Sequence, residues 1–269
     1  RGIAGVAQLL RAPRYPDSIV LGDAGRTSLA ALSKPLNVDE LIELAVQLAR
    51  AMTGMHHRGV MHRDIAPANI VLSQYRAPCL VDFALATLLA EVRPEFTHHT
   101  RILGTLAYLA PEQTGRTGRT VNQRADLYAF GATLYELAAG QPPFGSGDPL
   151  RLTRDHLVRV PVPPAEVNPA VPGPLSAIVM HLLEKEPDNR YQSAEGLIYD
   201  LERLDRPGVQ AVGDQRGRPD PAADPDEQRV GEELAQPRER VAHRRLAEPH
   251  PARRVGHAAL LEQRVERDH

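Results

Sequence analysis

One cysteine in 269 residues, Cys79, excludes an internal disulfide and suits a reducing compartment such as the cytoplasm. Its setting, Ala77-Pro78-Cys79-Leu80-Val81, reads as a buried strand with the thiol as a small core group. Lysine is nearly absent: Lys34 and Lys185 are the only two, and arginine carries the remaining positive charge. No stretch approaches the roughly 18–20 apolar residues of a membrane-spanning helix. No signal peptide is visible, and the opening on Arg1 rather than Met predicts a piece of a longer product. A formal net charge of -2 gives neither nucleic acid nor a membrane surface a reason to bind. What is present, 42% hydrophobic and 25% charged residues, is ordinary for a globular protein and allows one large domain or two small ones.

A second absence divides the chain. From Pro207 to His269 there is no Phe, Tyr, Trp, Ile or Met, and Arg, Glu, Asp, Ala and Pro dominate. Such a segment cannot bury enough apolar surface to offset the entropy of ordering it. Residues 207–269 are therefore expected to be a disordered or non-native tail, with weak helix at most over Val255–Val265.

Before that point the pattern is regular. Residues 1–33 read as short strands and a connector, with Ser18-Ile19-Val20-Leu21 running into a turn at Gly22-Asp23. Asn37 caps a predicted helix in which Leu41, Leu44, Ala45, Leu48, Ala49 and Met52 recur at helical spacing up to about His56-His57. The apolar runs Asn69–Leu72 and Cys79–Val81 predict a hairpin that draws Asn69 and Asp82 together. Residues 83–112 predict a long ordered loop. Helices are expected at about Arg124–Ala139, Pro149–Arg159, Leu175–Lys185 and Ser193–Leu204, with a proline-rich connector over Pro161–Pro174.

The chemistry lies in His62-Arg63-Asp64-Ile65-Ala66-Pro67-Ala68-Asn69, followed thirteen residues later by Asp82-Phe83-Ala84. Phosphoryl transfer needs an oriented hydroxyl nucleophile, neutralised phosphate charge and fixed geometry. Asp64 can orient a hydroxyl and accept its proton, while Asn69 and Asp82 offer the oxygen ligands that magnesium prefers. Taken singly, an Asp near an Asn is more often a cap or a turn; the ordered set is what carries weight. His98-His99 lacks further ligands at suitable spacing and reads as solvated loop.

The ordered set H-R-D-x-x-x-x-N then D-F-x resembles the catalytic and metal loops of protein kinases. Gly104-Thr105-Leu106-Ala107-Tyr108-Leu109-Ala110-Pro111-Glu112 resembles their substrate-docking segment, and Asp126-Leu127-Tyr128-Ala129-Phe130-Gly131 the start of the central helix of their large lobe. Residues 1 to about 205 thus resemble the hinge and C-terminal lobe of a eukaryotic-type serine/threonine protein kinase. The resemblance is nearest to the N-terminal kinase domains of bacterial hybrids that also carry an ATPase module and a sensor histidine kinase. It implies an α+β fold: a kinase large lobe, mainly α-helical with short β-hairpins, and a small lobe mostly missing. The implied division is 1–33 as small-lobe remnant and hinge, 34–206 as C-terminal lobe and 207–269 as tail.

The implied roles follow the motif. Asp64, Asn69, Asp82, Arg63 and Thr105 form the catalytic set, with Asn69 and Asp82 as metal ligands. Leu21, Gly22, Asp23 and Ala24 line the adenine edge. His62 and Phe83 pack in the core, Asp126 bonds the catalytic-loop backbone, and Arg190 pairs with Glu112. Thr97 and Thr100 become candidate phosphorylation sites that could order the loop against Arg63; alternatively, Arg63 makes a local salt bridge. ATP and Mg2+ are the implied cofactors and a protein Ser/Thr hydroxyl the implied substrate. Fused ATPase and histidine kinase modules are implied in a full-length parent, although no G-x-x-x-x-G-K-[ST] loop occurs here.

Departures set the limits. Nothing before Asp64 matches G-x-G-x-x-G, and Lys34 follows the hinge, so the strand lysine of the ATP site is not in this chain. Ala66 stands where a phosphate-steadying lysine is common, and Ala84 where the metal loop usually has glycine. Three functions compete: an active protein kinase, a pseudokinase or regulatory module without turnover, and a small-molecule kinase. Glu112, Asp126 and Arg190 count against the last, which lacks this docking segment.

Overall fold

The computed structural model describes residues 2–10, 20–89 and 105–204. The predicted tail at 207–269, Gly104, His98-His99 and the candidate sites Thr97 and Thr100 lie outside the described residues. Three short strands, β1 (Leu9–Leu10), β2 (Val20–Leu21) and β3 (Thr27–Ser28), lead into helix α1 (Val38–His56). Asn37 starts α1 because its side chain accepts from the Asp39 N–H at 2.9 Å, and Asp39 and Glu40 suit the positive end of the helix dipole. The apolar positions expected from the helical spacing are the buried ones: Leu41, Leu44, Ala45, Leu48, Ala49 and Met52.

After β4 (Val60–Met61) the chain makes a 3-10 turn at Pro67–Asn69 and the hairpin β5 (Ile70–Leu72) and β6 (Pro78–Leu80). The hairpin is the predicted one, in the register Ile70 with Leu80 and Leu72 with Pro78. Cys79 on β6 is only half-buried, because its neighbours Pro78 and Leu80 take the inward face. β3 adds to the outer edge of β5, making a three-stranded sheet that ties the residue 22–28 segment to the hairpin. Gly25, at φ 134°, is needed there, since a Cβ would lie 2.1 Å from the Leu72 carbonyl oxygen.

Strand β7 (Thr87–Leu88) pairs with β4, so the segment read as a loop from 83 begins with a strand. Two-residue strands have no alternation for a sequence to display. Further along that segment, 3-10 turns form at Leu106–Tyr108 and Pro111–Thr114.

Helix α2 (Gln123–Ala139) is capped by Asn122, which accepts from the Arg124 N–H at 3.0 Å, and stops at Gly140 in the left-handed region. It is buried on every side from Ala125 to Ala138 and forms the axis of the lobe. Helices α3 (Pro149–Val158), α4 (Pro164–Val167), α5 (Gly173–Leu182) and α6 (Ala194–Leu201) complete it. The proline-rich connector holds one helical turn, α4, whose two prolines occupy the cap and first positions where no N–H is required. Helix α1 packs on α2 and α6, and α5 packs on α2, giving one apolar core. Among the described residues no helix is long and apolar enough to cross a membrane.

Candidate active site

Asp64 sits between two donors that come from far apart in the chain. Its Oδ2 accepts from Asn69 Nδ2 at 2.9 Å, and its Oδ1 accepts from the Thr105 backbone N–H at 2.7 Å. Asn69 Nδ2 also donates to the Asp64 carbonyl at 2.9 Å. Both amide hydrogens of Asn69 are thereby engaged, which turns its Oδ1 away from Asp64 and leaves it to accept or to ligate. The hairpin brings Asp82 alongside: the Val81 N–H donates to the Asn69 carbonyl at 2.9 Å, so Asp82 begins at the end of the same ladder. Asp82 is exposed, and its Oδ1 accepts from the Ala84 N–H at 3.3 Å.

The backbone here is held in unusual conformations. Arg63 has φ 67° and Asp82 has φ 60°. A left-handed non-glycine residue costs about 1–3 kcal/mol, so the surroundings must impose it. For Arg63 they do. Asp126 on α2 accepts from the His62 N–H at 2.9 Å and the Arg63 N–H at 2.8 Å, and Gln113 Nε2 donates to the Arg63 carbonyl at 2.9 Å. His56 at the end of α1 makes a further contact of 2.9 Å to Asp126. Burial alone would raise the Asp126 carboxyl, but the bond and charge of His56 with the two backbone donors outweigh it and hold the group below its ordinary value. The left-handed residue in the metal loop is Asp82, not Ala84, so the alanine that replaces glycine carries no such strain.

His62 is fully buried, its ring 4.6 Å from that of Phe83, and its Nε2 contacts the Val81 carbonyl at 3.0 Å. Arg190 and Glu112 form a bidentate pair at 2.6 and 2.8 Å and are 3% and 2% exposed. The other guanidinium hydrogens reach the carbonyls of Glu184 at 2.7 Å, Arg124 at 3.0 Å and Lys185 at 2.9 Å. All five donors are thus satisfied. Arg63 rests its side chain on Thr87 Oγ1 at 3.0 Å, a local partner supplied by β7 rather than an acidic residue.

At the expected adenine edge the fit is partial. The Gly22 N–H already donates to the Gln8 carbonyl at 2.8 Å, so that group is not on offer to a ligand. Asp23 Oδ1 accepts from the Gly25 N–H at 3.0 Å and shapes the turn. Leu21 ends β2, and Ala24 lies between the turn and β3.

Sequence reasoning missed two braces. Gln113 joins the catalytic loop to the docking segment, since its Oε1 also accepts from the Ala110 N–H at 3.1 Å. A Gln three residues after the start of a short helical turn is a recognisable capping signal. Glu136 on α2 holds both Tyr108 and Lys34. Burial, then the Glu136 bond and charge, push the Tyr108 hydroxyl well above its ordinary value. No local signal announces a pair 102 residues apart. Gln113→Ala should cost about 1–2 kcal/mol, by leaving the Arg63 carbonyl and Ala110 N–H without this partner, and urea unfolding measures it.

The protein kinase domain family matches residues 19–199. The chain belongs to the protein kinase domain family. It is 36% identical over 190 residues to serine/threonine-protein kinase PknB of Mycolicibacterium smegmatis, covering 71% of this chain and 29% of that protein. It is 34% identical over 190 residues to the kinase of the same name in Mycobacterium tuberculosis, with the same 71% and 29% coverage. A probable serine/threonine-protein kinase of Clostridium acetobutylicum is 33% identical over 183 residues, covering 67% of this chain and 27% of that protein. The chain therefore spans less than a third of the length of these curated relatives. Kinases of this family generally use ATP and Mg2+ and act on proteins. Among the described residues no three His, Cys, Asp or Glu side chains cluster as a metal site. The candidate pair is one amide oxygen and one carboxylate, a sparse oxygen set of the kind that suits magnesium with phosphate and water completing its shell.

Proposed function

We propose that this chain is the catalytic lobe of a serine/threonine protein kinase of bacterial signalling type, moving the γ-phosphoryl group of ATP to a protein hydroxyl. The observation that carries the reading is the Asp64 carboxylate, fixed from both sides by Asn69 and Thr105 and still holding lone pairs for a third partner. That partner would be the substrate Ser or Thr hydroxyl, which Asp64 orients and whose proton it takes. Thr105, exposed and one bond from the anchoring N–H, shapes the hydroxyl pocket. Asn69 Oδ1 and Asp82 would hold Mg2+, which supplies charge neutralisation at the phosphates when bound. Leu21, the Gly22 carbonyl, Asp23 and Ala24 would meet the adenine.

In this reading residues 1–33 are small-lobe remnant and hinge, 34–206 the large lobe, and 207–269 a separate tail. A parent of the hybrid ATPase and histidine kinase type, acting in the cytoplasm, fits the docking-segment sequence. A second reading, a binding module without turnover, rests on Ala66. Its methyl group is fully buried and carries no charge that could steady a phosphate.

The test is magnesium-dependent transfer of labelled phosphate to protein, for this chain and for the chain extended upstream in its own coding frame. Label on serine or threonine in the extended form supports the enzyme. No transfer by either form, with unaltered melting on addition of Mg2+ and ATP, supports the binding module instead.

A further inference from the structure

The phosphoryl-transfer reading leaves one of the chain's two lysines, Lys34, without a task, since it follows the proposed hinge. Lys34 is not a surface residue. Its side chain is 12% exposed, and its Nζ lies 2.5 Å from Oε1 of Glu136 on α2, whose side chain is 10% exposed. The backbone beside it is fixed as well. The Leu36 N–H donates at 2.8 Å to the carbonyl of Leu137, at the end of α2 where the helix supplies no partner of its own.

The second carboxylate oxygen, Oε2, accepts from the Tyr108 hydroxyl. Tyr108 packs against the main core and ends the 3-10 turn Leu106–Tyr108. That turn is weak by itself. Thr105 gives it no side-chain cap, and it closes through the Tyr108 N–H to the Thr105 carbonyl at 3.0 Å and the Leu109 N–H to the Leu106 carbonyl at 3.4 Å. Thr105 at its start donates its N–H to Asp64 Oδ1 at 2.7 Å. Asp64 and Glu136 thus hold the two ends of one short turn.

A carboxylate this far from water keeps its charge only when it is paired. The tyrosine is neutral and offers a single hydrogen, so the compensating charge comes from Lys34. Without that ammonium, Glu136 would turn toward water or take up a proton. Either change weakens its charge-assisted bond to Tyr108.

We propose that Lys34 is a positioning residue for the docking turn: its ammonium keeps the Glu136 carboxylate charged and in place, and that carboxylate holds Tyr108 and with it the turn that carries the Thr105 N–H to Asp64. The consequence for catalysis rests on the kinase reading; the placing of the turn does not.

Amide hydrogen exchange of the full chain tests the placing without turnover. Lys34→Met keeps the length of the side chain and removes the ammonium. It should speed exchange of the Thr105, Tyr108 and Leu109 amides about tenfold, with the amides of α5 and α6 unchanged. Adding Glu136→Gln should restore most of the protection, because no charge is then left without a partner and the amide oxygen still accepts from Tyr108. Should Lys34→Met not fold, Lys34→Gln, which still donates to Oε1 but carries no charge, decides by the same three amides. In the catalytically competent form Lys34→Met should raise KM for a protein substrate about tenfold and leave nucleotide affinity unchanged. Unaltered exchange at the three amides overturns the proposal. So do acceleration spread equally through α5 and α6, no recovery on adding Glu136→Gln, and a loss confined to kcat. If no form transfers phosphate, the kinase reading fails and the exchange result decides the role of Lys34 by itself.

Discussion

Asp64→Asn should lower phosphotransfer by the catalytically competent form about 10²–10⁴-fold, the range for loss of a positioned proton acceptor. The geometry makes the effect specific. The carboxylate uses one oxygen for Thr105 and the other for Asn69. An amide has a single acceptor oxygen for those two donors and none to spare for a substrate hydroxyl. Nucleotide affinity should change little, because the proposed metal ligands Asn69 and Asp82 are intact. Single-turnover phosphate transfer with a separate measurement of nucleotide binding distinguishes the two effects. Equal rates for Asp64→Asn and wild type would remove Asp64 from the chemistry.

Arg190→Met should destabilise the lobe by about 3–5 kcal/mol, measured by urea unfolding, because Glu112 would keep its charge in a site closed to water. Arg190→Lys should recover only part of this. An ammonium has three donors to replace five, and it cannot present two parallel N–H groups to one carboxylate. Replacing both partners by apolar residues should cost less than Arg190→Met alone, since no orphaned charge remains. The loss should also loosen the docking segment. Arg190 lies 4.9 Å over the Tyr128 ring, and its carbonyl partners join α2 to the end of α5.

What the sequence disclosed follows from the range of each signal. Helix α1 announces itself through Asn37 at its start and apolar residues at the helical period, and α2 through a strongly apolar run that stops at Gly140. The β5–β6 hairpin is legible because two apolar runs flank a polar turn. The convergence on Asp64 is legible as motif order, although the contact from Thr105 is a backbone amide and not the hydroxyl. Strands β3, β4 and β7 are two residues each and gain meaning only from the partner they pair with. Left-handed φ at Arg63 is imposed by tertiary partners, and at Asp82 it accompanies a local bond from the Ala84 N–H, so a rule for glycine pointed to Ala84 instead. Likewise the Lys34–Glu136–Tyr108 cluster and the engaged N–H of Gly22 depend on contacts distant in sequence or on a neighbouring strand.

The most direct test of the shared site is a crystal structure of the catalytically competent form with Mn2+ and a non-hydrolysable ATP analogue, with the metal located by its anomalous scattering. The expected peak lies within coordination distance of Asn69 Oδ1 and the Asp82 carboxylate, with Asp64 still bonded to Thr105 and Asn69 and one face open to a hydroxyl. A metal bound away from both residues, or an Asn69 side chain released from Asp64, would contradict the account.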